Sequence, residues 1–276
     1  MLRDTLVRFP GYGTWDCDEI NPIWRHGNLS HQNDVFTPDM VTPRISDFIH
    51  REFRKIAIQQ NIQHVVEKTC ANSLRVPFIY EILPEAKFIF IYRDGRDTVV
   101  SAAKRWNAAF DLSYTLKKLR YVPTSDLPYY AIRFGGNRLR QWLSGQQQLG
   151  FWGLHLPDMQ GLLRQHSLYE ICALQWEAAV THSLRGLEEV SEERVYRVRY
   201  ETFVKHPVPE LISIARFLGV SLSEAQAKNL SAGVSDRSVG NYKKELSPAE
   251  QQAIEELIAP TLERLGYPTG KISNPN

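Results

Sequence analysis

Arginine, aspartate and glycine residues are concentrated between Lys87 and Ser101, where the sequence reads KFIFIYRDGRDTVVS. Arg93 follows a short apolar run, and Ser101 lies eight residues further along. A planar guanidinium can bind an oxyanion through two parallel hydrogen bonds, and a helix that begins near Gly95 would add backbone N–H donors. These residue types at this spacing predict a binding site for a phosphate group.

The element that must position Arg93 is the run Phe88–Tyr92, which is aromatic and β-branched. Such a run predicts a central strand of a parallel sheet that is covered on both faces. Arg93 would then lie at the carboxyl end of the strand, where open α/β sheets bind their ligands. Gly95 would allow the turn an unusual backbone conformation, and Asp94 or Asp97 would cap the helix that follows.

The Arg-Asp-Gly-Arg-Asp segment followed by Ser101 resembles the 3′-phosphate-binding segment of sulfotransferases that use 3′-phosphoadenosine-5′-phosphosulfate (PAPS). The resemblance is nearest to the tyrosylprotein and glycan types. It implies an α/β, P-loop-type sulfotransferase fold with a central parallel sheet flanked by helices. It also implies that Arg93, Arg96 and Ser101 bind PAPS and its product, 3′,5′-adenosine bisphosphate, without a metal ion. The local alternative is a surface ion pair and a helix cap.

Two residues nearer the N-terminus resemble the catalytic residues of this family. Lys68 lies in a predicted strand end, Val65–Thr69, and resembles the lysine that faces the bridging oxygen of PAPS. Glu19 resembles the glutamate that ends a strand and accepts the proton of the acceptor. Neighbouring apolar residues would bury Glu19 in part and raise its pKa towards that of a useful base. His26 and His31 are rival bases.

Two later segments extend the resemblance. Arg197–Glu201 reads as a short strand, from which Tyr200 would reach the nucleotide. Ser235–Tyr267 resembles the C-terminal loop and closing helix of the family, and the loop would fold over the nucleotide. The residues that this loop would contribute are Ser238, Gly240 and Lys243.

One expected motif is absent from the sequence. The family begins with a strand and a Ser-Gly-Thr-Thr loop that holds the 5′-phosphosulfate, and no such loop occurs in the 276 residues. Residues 1–6 resemble the helix that should follow it. We therefore expect either that the first strand and the loop lie upstream of residue 1, or that this variant lacks half of the nucleotide site. In both cases we expect weak donor binding or poor solubility.

Composition agrees with one enzyme domain over residues 1–276. The net charge of +2 at pH 7 argues against nucleic acid as a partner, and no apolar stretch is long enough to span a bilayer. The three cysteines lack metal-ligand spacing and indicate a reducing, cytoplasmic location.

Residues 111–165 resemble the helical, variable acceptor-binding insertion of the family. Aromatic and arginine residues in this segment would hold the acceptor, and the alternative for about half of the aromatic residues is that they form the core of a helical subdomain; the residues are Arg120, Tyr121, Tyr129, Tyr130, Arg133, Arg138, Arg140, Trp142, Phe151 and Trp152.

Apolar periodicity predicts amphipathic helices over residues 43–60, over residues 168–187 and around residues 211–218, the last ending at Gly219.

The whole pattern favours an enzyme that transfers a sulfuryl group from PAPS to a hydroxyl of a glycan, lipid or small molecule. The alternatives are a non-catalytic nucleotide-binding relative and a protein without a ligand. A P-loop kinase is disfavoured because the sequence has no Gly-rich Lys-Ser or Lys-Thr motif.

Overall fold

A computed structural model describes residues 1–107, 118, 120–132 and 153–270 of the chain. Its contacts divide the chain into two compact units. Unit 1 comprises Met1–Ala86 and Trp106–Pro157, and unit 2 comprises Lys87–Arg105 and Asp158–Asn276. The assignment of the chain to a single domain stays a prediction.

Unit 1 is mostly helical and contains one short parallel strand pair, in which Tyr12 lies opposite His64. Its longest helix, α3, begins after Thr42, whose hydroxyl accepts a hydrogen bond from the Ile45 amide. The helix ends at Asn61, which has a left-handed backbone conformation. The elements of unit 1 are α1 (Leu2–Leu6), β1 (Tyr12–Gly13), α2 (Asn21–Trp24), α3 (Pro43–Gln60), β2 (His64–Val65) and α4 (Val76–Ile82), with short 3-10 turns at Pro38–Met40, Cys70–Leu74 and Thr124–Asp126.

Unit 2 contains a second parallel pair, β3 with β4, in which Phe88 lies opposite Val195 and Tyr92 opposite Arg199. The long helices α7 and α12 pack against each other. The elements of unit 2 are β3 (Phe88–Tyr92), α5 (Gly95–Trp106, whose last residue is grouped with unit 1), α6 (Met159–Gln165), α7 (Leu168–Leu187), β4 (Val195–Arg199), α8 (Tyr200–Lys205), α9 (Pro207–Leu218), α10 (Glu224–Leu230), α11 (Tyr242–Glu245) and α12 (Pro248–Arg264), with a 3-10 turn at Glu192–Arg194.

The predicted α/β class is confirmed, and so are the helices that carry local start and stop signals. α3 and α7 have the predicted bounds, and α7 begins with a capping box in which Ser167 and Glu170 bond each other's backbone amides. α9 ends at Gly219, whose φ of 81° is the left-handed conformation that glycine adopts at helix ends.

Two expectations about strands are wrong. Tyr200 and Glu201 lie in the first turn of α8 rather than in a strand, because β4 ends at Arg199. β3 is also less buried than expected, since its residues are half-buried and 38% of Ile91 is exposed. Among the described strands, β3 pairs with β4 alone.

Gly95 is required at the start of α5 for a reason that the sequence did not reveal. Its backbone is close-packed against α7 and α12 of the same unit: a Cβ placed there would lie 2.8 Å from Cδ2 of Trp176 and 2.7 Å from Cδ1 of Ile258. Gly95 does not belong to the glycines with positive φ. A larger residue would therefore push α7 and α12 away from the start of α5.

Candidate functional site

Arg93 follows directly after β3, and its guanidinium is surrounded by residues from three segments of unit 2. Nη2 donates a hydrogen bond to the carbonyl oxygen of Ser238 and lies 3.3 Å from Oδ2 of Asp97. The guanidinium carbon lies 4.6 Å from the centroid of the Tyr200 ring. These contacts hold the guanidinium plane against an aromatic face, and 18% of the side chain is exposed.

One donor of Arg93 is left without an acceptor. Nε is buried and has no hydrogen-bond partner within the described residues. An unsatisfied buried donor costs roughly 1–3 kcal/mol, so this arrangement favours a ligand that supplies an acceptor. An oxyanion is such a ligand, and the guanidinium fork matches its geometry.

The loop that passes Arg93 is anchored by Asp97. The two carboxylate oxygens of Asp97 accept hydrogen bonds from the amides of Gly240, at 2.7 Å, and Tyr242, at 3.0 Å. Gly240 has a φ of 77°, which favours glycine at this turn. Ser238, in the same loop, has its hydroxyl 2.9 Å from that of Tyr200. We call residues Arg93, Asp97, Tyr200, Ser238 and Gly240 the Arg93 cluster.

Arg96 is near the cluster, but all three of its guanidinium nitrogens contact carboxylates of the protein. Nε and Nη2 bond Asp94 at 3.0 and 2.7 Å, and Nη1 bonds Glu255 in α12. The guanidinium also lies 4.5 Å from the ring centroid of Tyr242. Burial alone would lower the pKa of Arg96, but the hydrogen bonds and charges of Asp94 and Glu255 raise it. Arg96 therefore links α5, the loop and α12.

Asp94 caps α5, as the sequence allowed. Its carboxylate accepts the Arg96 amide at 3.0 Å, and its own amide donates to Oε1 of Glu201 at 3.0 Å. Ser101 lies exposed in the second turn of α5, and Lys243 lies exposed in α11. Lys243 lines an open cavity of about 580 Å³, to which Asp97 and Gly240 also contribute.

Unit 1 brings Glu19 and Lys68 together. Oε1 of Glu19 lies 3.1 Å from Nζ of Lys68 and accepts the Cys70 amide at 3.2 Å, while Oε2 lies 3.5 Å from Nζ of Lys118. Glu19 does not end a strand: β1 stops at Gly13, and Glu19 lies in the irregular segment before α2. Lys68 likewise follows β2, which stops at Val65.

The expected direction of the Glu19 pKa is wrong. Burial raises it, but the charges of Lys68 and Lys118 and the hydrogen bond from Cys70 outweigh burial and lower the pKa to about 2. The pKa of Lys68 is raised, since the attraction of nearby negative groups, Glu19 included, exceeds the effect of burial. In this structure the two residues form a strong ion pair rather than a poised acid and base.

Thr69 joins the segments that carry Glu19 and Lys68. Its hydroxyl oxygen accepts the Ile20 amide at 3.0 Å and donates to Oε1 of Glu67. Thr69 is buried, with 5% of its surface exposed. Glu19 is next to Ile20 in the sequence, and Lys68 is next to Thr69. The hydrogen bond between Ile20 and Thr69 therefore limits how far Glu19 and Lys68 can separate.

Arg75 extends the same framework. It has no exposed surface, and it donates from Nε to Asn72 at 2.9 Å and from Nη2 to Asn21 at 2.7 Å. Nδ2 of the Asn72 side chain in turn donates to Oε2 of Glu67 at 2.6 Å. Burial lowers the pKa of Arg75 to about 10, against the opposing charges of Asp34 and Glu67. Sequence reasoning missed the contacts of Thr69 with Ile20 and of Arg75 with Asn21, because these partners lie 49 and 54 residues away along the chain.

The rival bases have different surroundings. Nδ1 of His26 lies 2.9 Å from Oδ2 of Asp126, which is buried, and the His26 ring lies 3.9 Å from that of Phe48. Nε2 of His31 contacts the side chain of Asn33 at 2.9 Å. His26 thus has the histidine–carboxylate geometry that orients a base, and His31 does not.

Part of the predicted acceptor-binding insertion lies outside the described residues. This applies to Arg133, Arg138, Arg140, Trp142, Phe151 and Trp152. In the parts of the chain that the structure describes, no group of three or more histidine, cysteine, aspartate or glutamate residues could hold a metal ion. None of the described helices has the length and apolar character of a membrane span.

Family models match the chain at two overlapping positions. The model described as "Sulfotransferase family" matches residues 4–149, and that described as "Sulfotransferase domain" matches residues 79–245. Each covers more than half of the chain. A comparison with curated proteins finds no match.

Solved structures with a similar fold include two sulfotransferase domains. One, from the curacin biosynthetic pathway, is 14% identical, with a TM-score of 0.50, and the match covers 98% of this chain and 93% of that one. The other, from the Synechococcus PCC 7002 olefin synthase, is 17% identical, with a TM-score of 0.50, and covers 98% and 90%. The chain therefore belongs to the sulfotransferase family and has its α/β fold.

Proposed function

We propose that the protein transfers a sulfuryl group from PAPS to a hydroxyl acceptor. The observation that carries this proposal is Arg93, which follows β3 with a buried Nε that lacks a partner among the described residues and with its guanidinium against Tyr200. A 3′-phosphate would supply the missing acceptor. The specificity for PAPS over nucleotides without this phosphate would follow from the same contact.

The residues of unit 2 fit a bound nucleotide in two ways. Arg93, Ser238 and Tyr200 would hold the 3′-phosphate, with Ser101 and Lys243 as further donors. Gly240 would keep the loop in place through its bond to Asp97, and Arg96 would act as a support rather than as a ligand, since its nitrogens already bond carboxylates. PAPS, when bound, supplies a sulfuryl group with a phosphate leaving group.

In unit 1 we assign Lys68 to the charge that develops on the leaving group and Glu19 to the proton of the acceptor. The ion pair keeps Glu19 deprotonated and Lys68 protonated, as these roles require, but it also makes Glu19 a weak base by lowering its pKa to about 2. If the Lys68 ammonium turns towards a phosphate oxygen, it stabilises the negative charge of Glu19 less. The pKa of Glu19 would therefore rise during turnover. His26 with Asp126 remains the alternative base. We also propose a cytoplasmic location, which the three free cysteines support.

The test is calorimetric titration of the full chain with 3′,5′-adenosine bisphosphate and with adenosine 5′-monophosphate, which lacks the 3′-phosphate. We expect selective binding of the bisphosphate. Arg93→Met should weaken it by about tenfold or more, since a hydrogen bond to a charged group is worth roughly 1.5–3 kcal/mol. Arg105→Met is the matched control, because Arg105 is an exposed arginine in α5.

Equal binding of the two nucleotides, or equal losses in the two variants, would refute the 3′-phosphate site. Selective binding without any transfer of radioactive sulfate from PAPS to a broad panel of hydroxyl compounds would favour the non-catalytic relative. In that case Glu19→Gln would leave bisphosphate binding unchanged and there would be no turnover to lose.

A further inference from the structure

Unit 1 contains an open groove of about 980 Å³ whose lining does not include Glu19 or Lys68. One wall is the α3 face that carries Arg44, Phe48, Arg51 and Lys55, and the other is the segment Arg120–Ser125. We call this the α3 groove. The four residues of α3 are spaced by four, three and four positions, so they share one face of the helix.

The groove is rich in cations that the protein pairs only in part. Arg44 and Arg51 are exposed and make no hydrogen bond or ion pair within the described residues. Arg51 and Lys55 are four residues apart, a spacing at which like charges destabilise a helix. Lys55 has a carboxylate 3.8 Å away on Glu52, and Asp47 is the other acidic residue in the lining.

Arginine predominates among these cations. The Arg51 guanidinium carbon lies 5.3 Å from the ring centroid of Phe48, so the ring covers one face and leaves the edge N–H groups for a ligand. Arg120, 74% exposed, lies on the opposite wall and is 4.0 Å from Asp16. Planar guanidinium groups on both walls match carboxylate, sulfate and phosphate groups, which they bind in bidentate fashion.

The lining of the groove also includes aromatic rings and a polar dyad. Trp15 and Phe48 contribute aromatic rings, and His26 contributes an imidazole whose Nδ1 faces the carboxylate of Asp126 at 2.9 Å. With Nδ1 engaged by Asp126, Nε2 is the ring atom left for a ligand hydroxyl. The groove thus offers edges of largely buried aromatic rings and a hydroxyl-binding group beside its arginines.

The groove wall also runs beside the segment that carries Glu19. Tyr121 donates a hydrogen bond to Asp16, and Lys118, close before the wall, lies 3.5 Å from Glu19 and 3.7 Å from Asp18. A hydroxyl compound in the groove would therefore lie next to the segment to which we assign proton transfer.

We propose that the α3 groove binds the acceptor, and that this acceptor is a hydroxyl compound that also carries an oxyanion. The arginines recognise the oxyanion, and the apolar lining with His26 receives the ring or chain that bears the hydroxyl. The assignment as acceptor rests on the proposed function, whereas the binding of an anionic hydroxyl compound does not.

The test is titration of the full chain with four phenols that differ in one group: 4-hydroxybenzoate, 4-hydroxybenzenesulfonate, 4-hydroxybenzylphosphonate and neutral 4-hydroxybenzamide. We expect at least one anion to bind about tenfold more tightly than the amide, and the three anions to identify the preferred oxyanion. Arg51→Gln should remove most of that preference. Arg54→Gln is the control, because Arg54 is an exposed arginine of the same helix that does not line the groove.

Failure of all three anions to bind more tightly than the amide would overturn the proposal. Equal losses in the two variants would do so too, since they would indicate attraction by net charge alone. Titration of the same proteins with 3′,5′-adenosine bisphosphate separates the two hypotheses. A chain that binds the anions but not the bisphosphate would disprove the donor and leave the groove site intact.

Discussion

Asp97 should control donor binding although it is not placed to touch the donor. Its side chain is 1% exposed, and its carboxylate receives the amides of Gly240 and Tyr242 and faces Nη2 of Arg93. Asp97→Asn keeps the shape of the side chain but replaces one oxygen with an NH₂ group. That group is a donor, so it cannot accept a backbone N–H, and one of the two loop amides loses its partner.

The magnitude follows from these contacts. A hydrogen bond to a charged group is worth roughly 1.5–3 kcal/mol, and a buried amide left unpaired costs a similar amount. We therefore expect the closed loop to lose about 2 kcal/mol relative to an open one. The variant also removes a negative charge 3.3 Å from Arg93. The loss of this charge by itself would strengthen the binding of an anionic ligand. The weaker anchoring of the loop lowers the affinity by more than the lost charge raises it if Ser238 moves away from Arg93. The phosphate then has no preformed site to bind.

Two measurements check this reasoning. Calorimetry should show that 3′,5′-adenosine bisphosphate binds about tenfold or more weakly to Asp97→Asn, since about 1.4 kcal/mol corresponds to a factor of ten. Hydrogen exchange should be faster at the Gly240 and Tyr242 amides. Asp236→Asn is the control, because Asp236 is an exposed aspartate of the same loop. Unchanged exchange at both amides would refute the anchoring role, and tighter binding would show that the charge matters more than the loop.

Two further predictions concern unit 1. The pKa of Glu19 is lowered from 4.5 to about 2, so its ion pair stabilises the fold above about pH 4.5 and loses this effect as the pH falls towards 2. Glu19→Gln should therefore cost about 1–3 kcal/mol in urea unfolding at pH 7, because solvent screens the half-exposed Lys68, and less at pH 3; a cost independent of pH would contradict the assignment. Thr69→Val should lower the free energy of unfolding by about 1–3 kcal/mol because it leaves the Ile20 amide unpaired, whereas Thr69→Ser keeps the hydroxyl. Equal unfolding free energies for the two Thr69 variants would show that the hydroxyl does not join the segments.

Features that depend on neighbouring residues were predictable from the sequence. The ends of α3 and α7 follow from caps and apolar periodicity within each helix, and these local signals do not need the rest of the chain. The order of a strand, Arg93 and a helix at Lys87–Ser101 is local in the same sense. The sequence therefore determined the α/β class and the position of Arg93 after a strand.

Features that depend on distant partners were decided by the tertiary structure. Asp97 reads as a capping candidate in the sequence, yet its carboxylate bonds amides 143 and 145 residues away. Arg96 reads as a phosphate ligand, yet Glu255, 159 residues away, takes one of its nitrogens. Glu19 reads as a base with a raised pKa, and Lys68, 49 residues away, lowers it. A charge or a hydrogen bond acts over a few ångströms of space, and only folding determines which distant groups come within that range.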